Sequence, residues 1–182
     1  MTEEIVIAGF GGQGVLSMGK ILAYSGIIQN KEVSWMPSYG PEMRGGTANV
    51  IVIIGDGKIS SPIVQVFDTA IIMNQQSLDK FEDSVREGGV LIYDTNGITR
   101  HPKRKDIDIY TIEAAVEASK MSSSRIFNMI VMGGYLKIKP IISIDSVKEG
   151  LRKSLPERHH HLIGMNEEAI LRGMDIVRKL EL

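Results

Sequence analysis

Cysteine is absent from this 182-residue chain. Disulfides, thiol nucleophiles and every Cys-ligated zinc or iron–sulfur site are absent with it. The chain therefore cannot carry electrons on cysteines of its own. An excess of one charge sign is also missing: 21 Lys and Arg against 22 Asp and Glu give a net charge of −1. That balance argues against a general electrostatic affinity for nucleic acid or an anionic membrane. No stretch approaches the roughly 18–20 apolar residues of a membrane span. The opening Met1-Thr2-Glu3-Glu4 is acidic, and the apolar run behind it breaks at Gly9, which is not a signal-peptide pattern. The expected location is the cytoplasm. Aromatic residues are few at 5%, and the ten methionines read as core filler.

What is present is globular composition, 43% hydrophobic and 24% charged, in a length that suits one domain over residues 1–182. Glu4 to Phe10 reads as a β-branched strand running into a glycine cluster. Val15 to Ile28 follows with apolar residues at helical spacing. Lys31 to Met36 reads as a second strand stopped by Pro37, and residues 37–47 as a shaped loop between prolines and glycines. Ala48 to Gly55, ahead of Asp56-Gly57 and Lys58 to Ser60, carries a hairpin signal. Strands are expected again at Thr69 to Met73, Val90 to Tyr93 and Ile107 to Ile112, with a helix over Ser77 to Glu87 ending at Gly88-Gly89. Asp94-Thr95-Asn96-Gly97 reads as a turn. Helices then dominate, at about Ala114–Lys120, Ile126–Ile138, Ser146–Lys153 and Glu167–Leu180. This order predicts an α/β fold: a single three-layer α/β/α domain around a mixed, mostly parallel sheet that includes one hairpin.

Gly9-Phe10-Gly11-Gly12-Gln13-Gly14 satisfies G-x-G-x-x-G between a strand and a helix. Glycines let a backbone approach an anion, and free N–H groups at the helix start point toward it. A dinucleotide site also needs an acid about 20 residues on, at the end of the second strand. That strand ends in Met36-Pro37, and Glu32 lies at its beginning. A P-loop is excluded because no Gly-Lys-Ser/Thr opens the helix. Two readings stay open: a tight turn packed on its neighbours, or a cradle for the phosphates of another nucleotide-like ligand. Ser38, Tyr39, Glu42 and Arg44 stand in the second loop, expected at the ligand-binding edge; both loops are expected to follow neighbouring strands and so to lie side by side. Arg44 suits a bidentate contact to a phosphate or carboxylate, or equally an ion pair with Glu42 or a partner subunit.

Three blocks in order carry a family resemblance: Gly9 to Val15, Pro37-Ser38-Tyr39-Gly40-Pro41-Glu42-Met43-Arg44-Gly45-Gly46-Thr47, and Ser60-Ser61-Pro62. Together with Asp68 and the segment Asn128 to Gly134, they resemble the gamma subunit of the 2-oxoacid:ferredoxin oxidoreductases over nearly the whole chain. The second block is most similar to the 2-oxoglutarate branch, more than to the pyruvate or branched-chain type. The resemblance implies a subunit of an enzyme that converts a 2-oxoacid and coenzyme A to acyl-CoA and CO2, passing two electrons to ferredoxin. Thiamine diphosphate and iron–sulfur clusters are then expected on partner alpha, beta and ferredoxin-like delta subunits, with no cofactor bound by this chain alone. Coenzyme A is the co-substrate implied here. Gly9, Gly11, Gly12, Gln13, Gly14, Ser38, Tyr39 and Arg44 are the candidate binding residues. No catalytic or metal-ligating residues are expected, and the isolated chain is expected to self-associate. The competing expectation is a stand-alone nucleotide-binding or regulatory module, which co-purification with partner subunits would exclude.

Other motifs read as less informative. His159-His160-His161 suggests a solvated loop. Lys103-Arg104-Lys105 suggests a solvated run or a subunit contact. Asp68 suits a hydrogen bond to a loop as well as it suits a ligand.

Overall fold

The computed structural model describes residues 1–38 and 46–181. Its centre is a seven-stranded sheet: β1 (Thr2–Phe10), β2 (Glu32–Ser38), β3 (Thr47–Gly55), β4 (Phe67–Ile72), β5 (Val85–Asp94), β6 (Asp108–Ile112) and β7 (Arg178–Lys179). The spatial order is β2-β3-β1-β4-β5-β6-β7. Pairs β1–β4, β4–β5 and β5–β6 are parallel. Pairs β1–β3, β2–β3 and β6–β7 are antiparallel, so the expected mixed sheet divides evenly. The central strands are near-continuous Val, Ile and Ala because both of their faces are covered.

The hairpin expected at Asp56-Gly57 does not form. β3 is already flanked by β1 and β2, so a strand at residues 58–60 has no edge left to pair with. Asp56 instead accepts from Lys31 Nζ at 2.7 Å and from the Met1 amino group at 2.8 Å, which lowers its carboxyl to about 2. The antiparallel share comes instead from β2 and β3, which flank the second loop, and from the short β7. Pro37 lies inside β2 rather than ending it, opposite Val50. An edge strand tolerates proline because one row of its N–H groups has no ladder to fill.

Among the described residues six α-helices flank the sheet: α1 (Val15–Ile28), α2 (Gln75–Phe81), α3 (Ala114–Lys120), α4 (Phe127–Ile138), α5 (Ile144–Ser154) and α6 (Ile163–Ile176). The larger core joins α1 and α3–α6 to one face of the sheet, through side chains such as Ile7, Leu22, Val52, Ile130 and Ile170. The other face is covered by α2 and the flanking loops, through Val6, Ala8, Ile72, Leu78 and Tyr93. α2 is shorter than the expected Ser77–Glu87 helix. A 3-10 turn follows at Glu82–Ser84, and β5 absorbs Gly88-Gly89. Gly88 takes φ +71° there, and the β4–β5 register shifts between Phe67 and Thr69. The chain also leaves its last helix earlier than expected, at Ile176, to add β7 beside β6.

α4 is buried from Phe127 to Leu136, which suits a helix that is apolar on every side. It crosses α6 at Gly133 and Gly173. A Cβ on Gly133 would collide with the Ile170 carbonyl, and one on Gly173 with the Ile130 carbonyl. On the solvent side of this layer, buried Glu117 accepts from Arg172 Nε at 2.7 Å and from Lys120 Nζ at 2.6 Å. Arg172 and then Lys120 lower its carboxyl to about 2 from an ordinary 4.5. A carboxyl depressed on folding adds stability above its unfolded value and loses it as pH falls toward the folded one. The wild-type advantage over Glu117→Gln should therefore hold above pH 4.5 and fade between pH 4.5 and about 2. Thermal midpoints of both proteins across that range check this.

The lesser motifs also settle into structural roles. His159, His160 and His161 lie half-buried or exposed in a 3-10 turn (Glu157–Leu162), where His160 Nε2 lies 3.1 and 3.0 Å from the Arg152 and Leu155 carbonyls at the end of α5. Arg104 folds back on Asp106 at 2.6 Å and donates to the carbonyls of Glu82 and Val85. Asp68 accepts from the Glu4 N–H at 2.8 Å and from Arg86 Nε at 3.0 Å. These contacts lie near the start of β1, at the sheet edge opposite the glycine loop.

Candidate functional site

β1 and β4 are parallel neighbours, yet α1 packs on one face of the sheet and α2 on the other. The chain thus leaves their carboxyl ends in opposite directions. In open α/β sheets the crevice at such a switch point is where ligands sit. The glycine loop occupies it.

Gly9 is not on the loop surface. It is a buried β1 residue paired with Ala48. The loop proper begins at Gly11, whose N–H donates to the Gly46 carbonyl at 3.1 Å. Gln13 N–H closes the turn on the Phe10 carbonyl at 3.2 Å. The Gln13 side chain spans the crevice: Oε1 accepts from the Phe10 N–H at 2.7 Å, and Nε2 donates to the Met73 carbonyl at 3.3 Å. Gln13 thereby holds the loop in place with both ends of its amide. Gly12 (φ +98°) and Gly14 (φ +77°) adopt the left-handed conformation that suits glycine. Gly12 is exposed, with open space where a Cβ would stand. Gly14 caps α1, and a Cβ there would meet the Asn128 side chain, whose Nδ2 donates to the Gly14 carbonyl at 3.1 Å. The first-turn N–H groups of α1 have no intrahelical acceptor and face outward from this cap.

The loop opens onto a cavity of about 490 Å³, within the range of small-molecule sites. Gly12 and Gln13 form one wall. Asp94, Asn96 and Gly97 come from the end of β5, and Ser122, Ser123 and Ser124 from the α3–α4 connection. Asp94 is buried, and its Oδ1 accepts from the Ala115 N–H at 3.1 Å, fixing the start of α3. Burial raises its carboxyl more than the surrounding backbone N–H groups lower it. Ser122 takes φ +58°, an uncommon conformation for a residue with a Cβ. A second hollow adjoins at Ser123 and is lined by Ser17, Arg125 and Asn128 as well.

Of the residues singled out from sequence, the structure gathers Gly11, Gly12, Gln13 and Gly14. Ser38 ends β2, exposed, with β3 between it and β1. The two loops therefore do not follow neighbouring strands as expected. They meet through the Gly11–Gly46 hydrogen bond at the start of β3. Tyr39, Glu42 and Arg44 lie outside the described residues. The reading of the sequence missed Asp94, Asn96 and the serine run. The usable signals were an Asp-x-Asn-Gly turn at the end of a buried strand, and three serines before an apolar helix. Among the described residues no cluster of three or more His, Cys, Asp or Glu has metal-site geometry, and no helix is long and apolar enough to cross a membrane.

Residues 4–176 match the family model described as pyruvate ferredoxin/flavodoxin oxidoreductase. The chain belongs to that family. It is 35% identical over 178 residues to the ketoisovalerate oxidoreductase subunit VorA of Methanothermobacter marburgensis, covering 97% of this chain and 37% of the relative. It is 30% identical to the 2-oxoglutarate synthase subunit KorC of Methanocaldococcus jannaschii, covering 99% and 96%. The chain thus spans just over a third of the VorA relatives and nearly all of that KorC. Among solved structures, a keto/oxoacid ferredoxin oxidoreductase gamma subunit from Geobacter sulfurreducens superposes with a TM-score of 0.84 at 25% identity, over 97% of this chain and 96% of that one. The 2-oxoglutarate:ferredoxin oxidoreductase of Magnetococcus marinus, solved with 2-oxoglutarate, coenzyme A and succinyl-CoA bound, superposes with a TM-score of 0.86 at 25% identity. That match covers 96% of this chain and 30% of the longer one. Family membership and the mixed α/β architecture of its gamma subunits agree across these comparisons.

Proposed function

We propose that this chain is the gamma component of a ferredoxin-dependent 2-oxoacid oxidoreductase and that its glycine loop holds coenzyme A. The observation that carries this reading is Gly12: an exposed, left-handed glycine on a rigidly pinned loop, opening into a cavity at the switch point of the sheet. Its backbone and the first turn of α1 present N–H groups suited to phosphate oxygens. Arg44 is proposed as the accompanying cation. Gln13 and Asn128 position the loop, Gly9 backs it from within β1, and Ser38 and Tyr39 are proposed with Arg44 as binding residues of the second loop. The coenzyme A bound in the Magnetococcus marinus relative supports the ligand class.

The assembled enzyme would convert 2-oxoacid, coenzyme A and two oxidised ferredoxins to acyl-CoA, CO2, two reduced ferredoxins and one proton. This cysteine-free chain supplies no iron–sulfur ligands. The proposal therefore assigns decarboxylation and electron transfer to thiamine- and cluster-bearing alpha, beta and ferredoxin-like delta partners in the cytoplasm. Ile63 (71% exposed) and Val66 (52%) lie together on the segment after Ser60-Ser61-Pro62 and offer apolar surface for such a partner. We favour 2-oxoglutarate as substrate, from the form of the Pro37–Thr47 block and the end-to-end match to KorC. The higher identity to VorA favours a branched-chain 2-oxoacid as the competing reading.

Purified alone, the chain should be colourless and show no 2-oxoacid decarboxylation. Co-purified from its native host, it should bring a brown, iron-containing, thiamine-dependent complex. Assays of that complex with 2-oxoglutarate, 2-oxoisovalerate and pyruvate decide the substrate. Turnover by the metal-free chain alone, or recovery without partners, would overturn the subunit reading.

A further inference from the structure

The second hollow, of about 180 Å³, is enclosed by α1, α4, the end of α5 and the start of α6. At ~30 Å³ per water molecule it has room for about six non-hydrogen atoms. Most of its wall is apolar: Ile21, Met129, Leu151, Leu155, Leu162 and Met165. His160 helps to hold that wall together, because its ring ties the Arg152 and Leu155 carbonyls to the 3-10 turn that carries Leu162. The opening has a different chemistry. Arg125 and Ser17 are exposed there, with the half-buried Ser123 beside them. Among the described residues that line the hollow there is no Asp or Glu.

A guanidinium with two hydroxyls beside it suits a single carboxylate. The apolar wall behind them suits an aliphatic tail and rejects a second charge, which would be stranded without a partner. We propose that this hollow is an effector site for a short aliphatic monocarboxylate, with its head on Arg125 and its branched tail inside. Two contacts connect the site to the glycine loop. Asn128 lines the hollow, and its Nδ2 donates to the Gly14 carbonyl at 3.1 Å. Ser123 lines both this hollow and the larger cavity, and Arg125 is the one Lys or Arg among the described residues lining either. A carboxylate on Arg125 neutralises that cation and sets a negative charge near the loop. It therefore opposes the approach of phosphates. Binding in the hollow stands by itself, whereas its effect on coenzyme A rests on the reading above.

Isovalerate is the probe, since it has the head and tail but no 2-oxo group to react. Calorimetry on the full chain alone should give a Kd of about 1 mM or below, ordinary for a ligand of this size. 3-Methylbutan-1-ol, which lacks the charge, and succinate, which carries two, should each bind about tenfold or more weakly. 2-Oxoisovalerate is run beside isovalerate: the tighter of the two tells whether the effector is a 2-oxoacid or a plain acid. Arg125→Met should lower isovalerate affinity about tenfold or more. Met165→Trp, from an exposed position on α6, should fill the hollow and abolish binding. If Met165→Trp does not fold, Arg125→Met carries the test. In the assembled enzyme at saturating 2-oxoacid, isovalerate should raise the KM for coenzyme A about fivefold or more, with kcat unchanged. That rise should vanish in Arg125→Met. No binding of isovalerate, binding of the alcohol as tight as the acid, or unchanged affinity in both variants overturns the site. Binding without a change in KM overturns its link to coenzyme A. Gly12→Ala keeps the two ideas apart. It should bind isovalerate as wild type does, so a failure of the coenzyme A reading in that variant leaves the calorimetric result standing.

Discussion

Gly12→Ala should raise the KM for coenzyme A roughly tenfold or more while the complex still assembles. Two separate effects act at this position. An L-residue at φ +98° is strained by about 1–2 kcal/mol, which at ~2–4 °C per kcal/mol for a chain of this size gives a modest fall in thermal midpoint. No atom obstructs the new methyl group, since nothing lies within 4 Å of a Cβ built there. Its cost therefore falls on whatever approaches the loop from the cavity. Losing one charge-assisted hydrogen bond to a phosphate is worth about 1.5–3 kcal/mol, or roughly 10- to 150-fold. Gly14→Ala is the matched control. There the same kind of strain coincides with a collision against Asn128 and loss of its 3.1 Å bond to the Gly14 carbonyl. Gly14→Ala should lower the midpoint or the yield of complex much further than Gly12→Ala does, which separates a packing loss from a loss at the exposed loop. If Gly12→Ala leaves the KM for coenzyme A unchanged, the loop is only a turn. Both KM values and the midpoint, measured on the two variants, decide the point.

Gly173→Ala should be the most destabilising conservative substitution in the helical layer. The Cβ it adds would overlap the Ile130 carbonyl, and Gly133→Ala would do the same to the Ile170 carbonyl. Both obstacles are helix backbone, which cannot rotate aside as a side chain can. α4 and α6 would have to separate along a crossing that carries Ile130, Val131, Ala169 and Ile170 in the larger core. Overpacking a core costs about 1–3 kcal/mol when side chains can adjust. With backbone on both sides, the upper end or more is expected, outweighing the ~1 kcal/mol that alanine gains over glycine as a helix former. Chemical denaturation of the full chain should show a midpoint shift of that size. Gly164→Ala, at an α6 position with open space around it, should instead be neutral or slightly stabilising. A Gly173→Ala protein as stable as wild type would contradict the close crossing.

Much of this arrangement was legible in the linear sequence because it depends on local chemistry. Strand-forming Val and Ile ahead of a glycine cluster, followed by apolar spacing from Val15 to Ile28, located β1, the loop and α1 to within a residue or two. The zero cysteine count and balanced charge bounded the chemistry without any structure. The ordered blocks at Gly9, Pro37 and Ser60 marked the family. The strand, turn and helix signals each lie within a short run of neighbouring residues, where backbone sterics and side-chain periodicity decide the outcome.

What the sequence left undecided depends on who pairs with whom. Asp56-Gly57 has good hairpin chemistry, but a hairpin needs a free strand edge, and β1 and β2 occupy both edges of β3. Whether two loops adjoin depends on strand order, so β3 intervenes between strands taken for neighbours, and a single hydrogen bond to Gly46 links the loops instead. Asp94 and Asn96 look like an ordinary turn until the parallel pairing of β4 and β5 brings the end of β5 beside the glycine loop. The glycines at 133 and 173, 40 positions apart, acquire their meaning only where α4 crosses α6. Local conformation is chosen by short-range sterics and hydrogen bonding, and one sequence window contains both. Cavities and crossings are made by contacts between distant segments, whose geometry is set by strand order and by the face each helix takes.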